Sequence, residues 1–226
     1  MHLRDKIRTV VSLPKTIYFN FKVLGKKKML LNFHFFVDKD VKLGKLYKNV
    51  IKLNFKSDRF SIKIGKKAID DTPEFTKGYF SMTQNSSIVF NGNAEFSYGI
   101  SFTALQQSRI VIGNNFYCNK NCVISSREAI EIGNDVLVGW NVNIRDNDGE
   151  THRIYENNIE NEYKKKIVIK NHVWLCAFSS VLKGVEILED TVVAYGTCVT
   201  KSLGEKNVIL AGVPAKIVKR NIEWKR

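Results

Sequence analysis

Apolar positions along this chain recur at intervals of six over its C-terminal half. Ile169, Leu175, Val181, Ile187, Val193 and Val199 keep that spacing without a slip. The fifth place of each intervening hexad, Val173, Ser179, Val185, Thr191 and Thr197, is small or β-branched. A helix repeats every 3.6 residues and a flat strand every 2, so neither explains the beat. A three-sided solenoid does: each short strand covers one wall, one aliphatic side chain per hexad points inward, and about three hexads close a coil. Successive coils would stack at the strand spacing of ~4.8 Å.

The same phase returns upstream in pieces. Ile132, Val138 and Ile144 form one triplet, with Gly133 and Gly139 after the first two; Ile112, Cys118 and Ile124 form another, and Phe90, Phe96 and Phe102 a third. Residues 106–110 and 125–130 are short interruptions, and 145–166 is a long polar excursion. Residues 1–85 lack a clean hexad but contain strand-like runs such as Tyr18 to Phe21, Val50 to Leu53 and Phe60 to Ile64, broken by Gly25, Gly44, Gly65 and Gly78. They read as a β-rich cap over the solenoid's open end, which would otherwise expose unpaired strand edges. The expected organisation is therefore an N-terminal β cap (1–85), coils with one excursion loop (86–202), and a tail (203–226) in which a short basic helix runs from Ala215 to Trp224 after Pro214.

Composition narrows the class. With 226 residues, 44% hydrophobic content and three prolines, the chain can bury a core and is not disordered. Four cysteines without paired metal spacing give no zinc signal, and Cys118 falls on a core hexad. With no signal peptide or membrane-spanning apolar run in the sequence, a cytoplasmic protein is expected. The formal charge is +14, with a pI near 9.6. No nucleic-acid module or basic patch with interleaved aromatics is present, which argues against nucleic acid. A site for a polyanionic ligand on a Lys-rich protein accounts for the charge; peripheral contact with an anionic membrane face competes, because Arg4 to Lys28 mixes basic and apolar residues.

The hexads, the run Asn171-His172-Val173-Trp174, the pair Thr200-Lys201 and the tail Ala211-Gly212-Val213-Pro214-Ala215-Lys216 resemble the left-handed β-helix, or hexapeptide-repeat, acyltransferases. Closest in pattern are the galactoside/maltose acetyltransferases and the O-acetyltransferases of capsule and O-antigen synthesis, over roughly residues 86–220. The resemblance implies an all-β, left-handed parallel β-helix, a homotrimer with active sites between subunits, acetyl-CoA as co-substrate, a carbohydrate acceptor and no metal.

Moving an acetyl group from a thioester to a sugar hydroxyl needs a general base and donors for the tetrahedral oxyanion. Histidine has the suitable pKa, and the chain has four: His2, His34, His152 and His172. His152 is the candidate base, because it lies in the polar excursion and long loops in compact folds usually carry function; a plain surface loop residue is the competing reading. His172 reads as an outward, solvated or intersubunit residue. The resemblance also places the catalytic histidine after an Asp-x-Asp segment, here Asp146 and Asp148, although Gly149, Glu150 and Thr151 intervene. These two carboxylates either orient the imidazole or are solvated turn residues.

By resemblance, Asn119 binds acceptor, Trp174 walls the site and Trp140 lines the acceptor cleft, unless the tryptophans only pack the solenoid. Ala177 offers a backbone N–H to the thioester oxygen; Tyr195, Thr200 and Lys201 line the pantetheine path; Lys216 and Lys219 meet the nucleotide phosphates. Tyr195 is bulkier than the residue usual at that place. The leading function is an acetyl-CoA-dependent O-acetyltransferase on a bacterial surface-polysaccharide sugar. The alternatives are an N-acyltransferase on an amino-sugar nucleotide and a non-catalytic solenoid scaffold.

Overall fold

The computed structural model describes residues 3–26, 32–66, 76–149 and 153–226. Three parallel walls run the length of the chain. The first contains Phe35–Val37, Ile62–Lys66, Ala94–Ser97, Phe116–Cys118, Leu137–Val138, Trp174–Leu175, Val192–Val193 and Val208–Ala211. The second runs from Val41–Leu43 through Val123–Ser126 and Asn143–Arg145 to Cys198–Val199, and the third from Ile51–Leu53 to Glu186–Ile187. Register follows the hexads: Val138 sits beside Leu175 and Leu175 beside Val193, while Ile144, Val181 and Val199 align on the second wall. All six residues of the uninterrupted beat are at most 2% exposed, and the fifth-place residues from Val173 to Thr197 are buried beside them.

Corners turn on residues with positive φ. Asn115, Asp135, His172, Asp190 and Asn207 occupy one corner in successive coils, all with φ between 53° and 58°. Asn and Asp tolerate this conformation because their short polar side chains bond locally. Gly113 and Gly133 precede that corner, and a Cβ on Gly133 would lie 2.6 Å from Asn171 Oδ1 and 2.7 Å from its nitrogen. Coils approach too closely there for any side chain.

Both ends differ from the sequence expectation. The chain begins with a helix, α1 (Leu3–Leu24), where β structure is expected. Ser12, Thr16 and Asn20 recur at intervals of four and face the first coil. Asn20 donates to Phe35 O and accepts from its N–H, and Thr16 does the same with Val37. These side chains satisfy the open edge as a strand would, while Phe19 and Val23 enter the core. The run Tyr18 to Phe21, read as a strand, is therefore the middle of α1. From Phe35 onward the chain already coils: Val37 pairs with Ile64 and Ile64 with Phe96, so the same walls continue across residue 86. Phe35, Phe80, Phe90, Phe96 and Phe102 fill these first coils in edge-to-face and stacked contacts.

At the other end, the expected helix from Ala215 is a strand, Lys216–Arg220, antiparallel to Val208–Ala211. The turn at Gly212 to Pro214 reverses the chain, and pairing with the last exposed edge of the first wall outweighs helix propensity.

Candidate functional site

The excursion is a β arm. Its neck is held by an antiparallel bridge between Asn147 and Lys164 and by the Asp148 N–H donating to Tyr163 O. Farther out, Tyr155–Glu156 pairs with Ile159–Glu160. Asn157 and Asn158, both at positive φ, form the two-residue turn that such hairpins favour. Ile154, Tyr155 and Ile159 stand more than half exposed on this arm. His152 lies outside the described residues, as do Glu150 and Thr151.

Asp146 is fully buried at the base of the arm. One of its oxygens accepts from Ser126 Oγ at 2.6 Å and Glu128 N at 3.0 Å; the other accepts from Arg127 N at 2.8 Å and Asn147 Nδ2 at 2.9 Å. It is thus no solvated turn carboxylate: it ties the arm to the turn after Val123–Ser126. Asp148 is partly exposed and pairs with Lys183. Lys164, opposite them, bonds Glu128 at 2.8 Å, and that bond holds its pKa up.

Four of the predicted residues come together at the corner between the first and second walls. Cys118, Val138, Leu175 and Val193 are in register, so the residues two places on, Lys120, Trp140, Ala177 and Tyr195, form one column, with Asn119 beside it. The ladder agrees: Asn141 N–H donates to Lys120 O, Phe178 N–H to Trp140 O and Gly196 N–H to Ala177 O. Trp140 and Tyr195 are exposed. A Cβ on Gly139 would lie 2.7 Å from the Ala177 nitrogen, so glycine leaves space over that amide. Sequence reasoning passed over Phe178. Its ring lies 5.2 Å from that of Tyr195, tilted by 51°, and its φ of 60° is a left-handed conformation rare for an aromatic residue. Its column otherwise holds Gly99, Asn121, Asn141 and Gly196. A bulky residue where the coil wants Asn or Gly was the available signal.

The other predicted residues stand apart from this corner. Thr200 and Lys201 lie at the far end of the second wall, in line with Leu182 and Lys183 by the Val181–Val199 register. Lys216 and Lys219 are exposed on the last strand. Trp174 sits on the outer face of the first wall beneath Trp224, ring centroids 5.9 Å apart.

A second histidine constellation appears at the opposite corner. His172 Nδ1 meets Asp190 Oδ1 at 2.7 Å, its ring lies parallel to Trp224 at 4.0 Å, and Trp224 Nε1 donates to His172 O at 3.1 Å. The C-terminal segment is fastened over the first wall here, and Arg226 adds a cation–π contact over Tyr117. Burial pushes the Cys118 thiol well above its ordinary pKa and that of Cys176 up as well, so neither is activated as a nucleophile. Among the described residues, no group of three or more His, Cys, Asp and Glu side chains could hold a metal ion.

No protein-family profile matches the chain. It is 35% identical to the galactoside O-acetyltransferase of Escherichia coli (strain K12) over 124 residues, 55% of this chain and 56% of that protein. From the same strain, a protein named "Putative lipopolysaccharide biosynthesis O-acetyl transferase WbbJ" is 31% identical over 144 residues, 60% of this chain and 73% of the relative. Among solved structures, the polySia-specific acetyltransferase NeuO superposes with a TM-score of 0.59 at 26% identity, over 85% of this chain and 84% of that one. The chain spans somewhat over half the length of the first curated relatives it matches.

Proposed function

We propose, from the premise that this chain belongs to the hexapeptide-repeat acetyltransferases of the left-handed parallel β-helix fold, that it transfers an acetyl group from acetyl-CoA to a sugar hydroxyl of a bacterial surface polysaccharide or its precursor. The observation that carries this reading is the alignment over 73% of a relative named for O-acetyl transfer in lipopolysaccharide biosynthesis. The chain of the polySia-specific acetyltransferase, alike over most of its length, supports the same substrate class.

The chemistry divides among the chain's own residues. As the acceptor oxygen forms its bond to the thioester carbonyl, its proton passes to His152; the C–S bond then breaks and the proton follows to the departing thiolate. The Ala177 N–H, under the space left by Gly139, receives the oxyanion. Asn119 and Trp140 hold the acceptor. Tyr195, with Phe178 beside it, and Thr200 and Lys201 border the pantetheine arm, and Lys216 and Lys219 meet the nucleotide phosphates as point charges. Asp148, paired with Lys183 at the neck, is assigned to orienting His152, whereas Asp146 acts through the neck it braces. Trp174 contributes a wall shared with Trp224. The exposed apolar side of the arm and the open corner suit a homotrimer in which a second chain completes each site. A cytoplasmic location follows from the co-substrate.

The test measures free thiol released from acetyl-CoA with a neutral polysaccharide or an amino-sugar nucleotide as acceptor. Release only with the neutral acceptor is expected; release only with the amino sugar would make the protein an N-acyltransferase. His152→Ala should lower turnover about 10²–10⁴-fold, while His172→Ala should leave it near wild type and loosen the C-terminal segment. A dead His172→Ala beside an active His152→Ala would put the base at the Asp190 pair.

A further inference from the structure

The outward face of α1 is apolar and uncovered. Ile7, Val10, Val11, Ile17, Tyr18 and Phe21 are each 45–63% exposed, and they recur at the three- and four-residue steps of a single helical stripe. The opposite face is fully engaged. Arg8 is bonded to Asp38 and Asp40, Lys15 to Val41 O, and Thr16 and Asn20 to the first strand. The helix therefore cannot roll over to hide its stripe. Lys6, Lys22 and Lys26 are exposed beside it.

The charge of the protein is concentrated at this same end. Residues 1–66 hold 17 of the 36 Lys and Arg but 4 of the 22 Asp and Glu, so +13 of the formal +14 falls in this stretch of the sequence. The remaining 160 residues are close to neutral, although they contain every residue assigned to the transfer reaction. A charge meant only for CoA phosphates would be found near them. Lys42, Lys45, Lys48, Lys52 and Lys56, on the coils directly under α1, are exposed.

We infer that the α1 end of the solenoid docks on an anionic phospholipid bilayer, with α1 lying in the interfacial plane. An apolar stripe flanked by lysines is the pattern that seats a helix at the headgroup boundary. The helix lies on the bilayer rather than through it, since no helix among the described residues is long and apolar enough to span one. Charge selects the occupant. A second copy presenting this face would bring two strongly positive surfaces together, whereas anionic headgroups match it. Docked this way, the solenoid axis leads away from the surface. The strand Asn143–Arg145, four strand steps beyond Val41–Leu43 on the second wall, then stands roughly 20 Å farther out, carrying the arm with it. The inference goes beyond acyl transfer and does not depend on it.

The experiment is co-sedimentation of the full chain with vesicles of phosphatidylcholine alone and of phosphatidylcholine with about a third phosphatidylglycerol. Binding to the anionic vesicles only, weakened by salt, is expected. The triple variant Lys6→Gln/Lys22→Gln/Lys26→Gln should weaken it about fivefold per lysine removed, or roughly 100-fold together. Val10→Glu/Phe21→Glu should abolish binding while circular dichroism and sedimentation coefficient stay those of the wild type. Val10 and Phe21 are 63% and 48% exposed and stand outside the buried core cluster, so that variant should fold. Equal binding to neutral vesicles, or binding to neither, would overturn the inference. So would a lower oligomeric state in Val10→Glu/Phe21→Glu, because the stripe would then be covered by another copy.

Discussion

Replacing Asp146 by Ala separates two roles that one carboxylate beside an active loop could have. In the structure it accepts four hydrogen bonds of 2.6–3.0 Å, from the last residue of the strand Val123–Ser126, from the turn after it and from its neighbour Asn147. It is buried, so its loss strands Ser126 Oγ and leaves two backbone N–H groups to find water. Bonds to a charged acceptor contribute about 1.5–3 kcal/mol each, but these four share one anion and two donors are only partly buried. A net loss of about 4 kcal/mol is the reasonable figure. In a chain of this size each kcal/mol moves the melting temperature by about 2–4 °C, so Asp146→Ala should melt roughly 10 °C lower. Asp146→Asn keeps one acceptor oxygen and turns the other into a donor facing the Glu128 N–H, and should fall roughly halfway between. Melting by circular dichroism, read beside thiol release below the melting range, distinguishes the roles. A brace predicts that the melting temperature and the proteolytic resistance of the arm fall together, with turnover following the loss of order. An unchanged melting temperature with turnover reduced more than 100-fold would refute the reasoning: the carboxylate would then act on the imidazole directly.

Two further outcomes follow from the same geometry. Lys216→Ala and Lys219→Ala should raise the KM for acetyl-CoA and leave kcat nearly unchanged, because phosphate contacts far from the reacting carbon bind ground and transition states alike; wild-type saturation in both would move the nucleotide away from the last strand. At acid pH the α1 cap should loosen before the coils do. Burial pushes the pKa of Asp40 up, but the bonds from Lys39 and Arg8 outweigh this and hold it below its ordinary 3.8. A carboxylate depressed on folding stabilises the fold above its unfolded pKa, and that contribution disappears as the pH falls through the folded value. Amide exchange at Phe35 and Val37 should therefore accelerate below about pH 3.8 while that at Val181 stays slow; simultaneous loss at all three sites would show that Arg8 and Asp40 do not govern the cap.

The coils were legible because a solenoid writes its period into the chain: one inward aliphatic per hexad is required wherever three walls meet a common core, and the positions from Ile132 to Val199 obey it. Earlier coils hid for a physical reason. Their core positions are filled by residues such as Phe35 and Phe80, whose bulk tolerates irregular spacing, and long connections separate their strands. The ends hid for another: whether a terminal segment becomes helix or strand depends on which unpaired edge it must satisfy, and that edge is built by residues far away. Ser12, Thr16 and Asn20 look like poor helix formers until Phe35 and Val37 are seen beside them.

The candidate site lies between these cases. Asn119, Trp140, Ala177 and Tyr195 are scattered over 77 positions, yet a coil length of about 20 residues, interrupted once by the arm, stacks them at one corner. What the sequence could not show is the cost of each corner. Most left-handed positions are held by Asn, Asp or Gly, which adopt that backbone readily; of the exceptions among the described residues, Phe60, Gln106, His172 and Phe178, the last two stand at corners of the later coils. Each contributes a ring contact that Asn or Gly could not make, with Tyr195 in one case and Trp224 in the other. At the His172 corner, the strained residue fastens the C-terminal segment. At the Phe178 corner the side chain stays 47% exposed, and its ring contact among the described residues is with Tyr195, itself 68% exposed. Strain retained without burial marks a surface kept for an occupant, and this corner is therefore the better place to seek the acetyl donor and its acceptor.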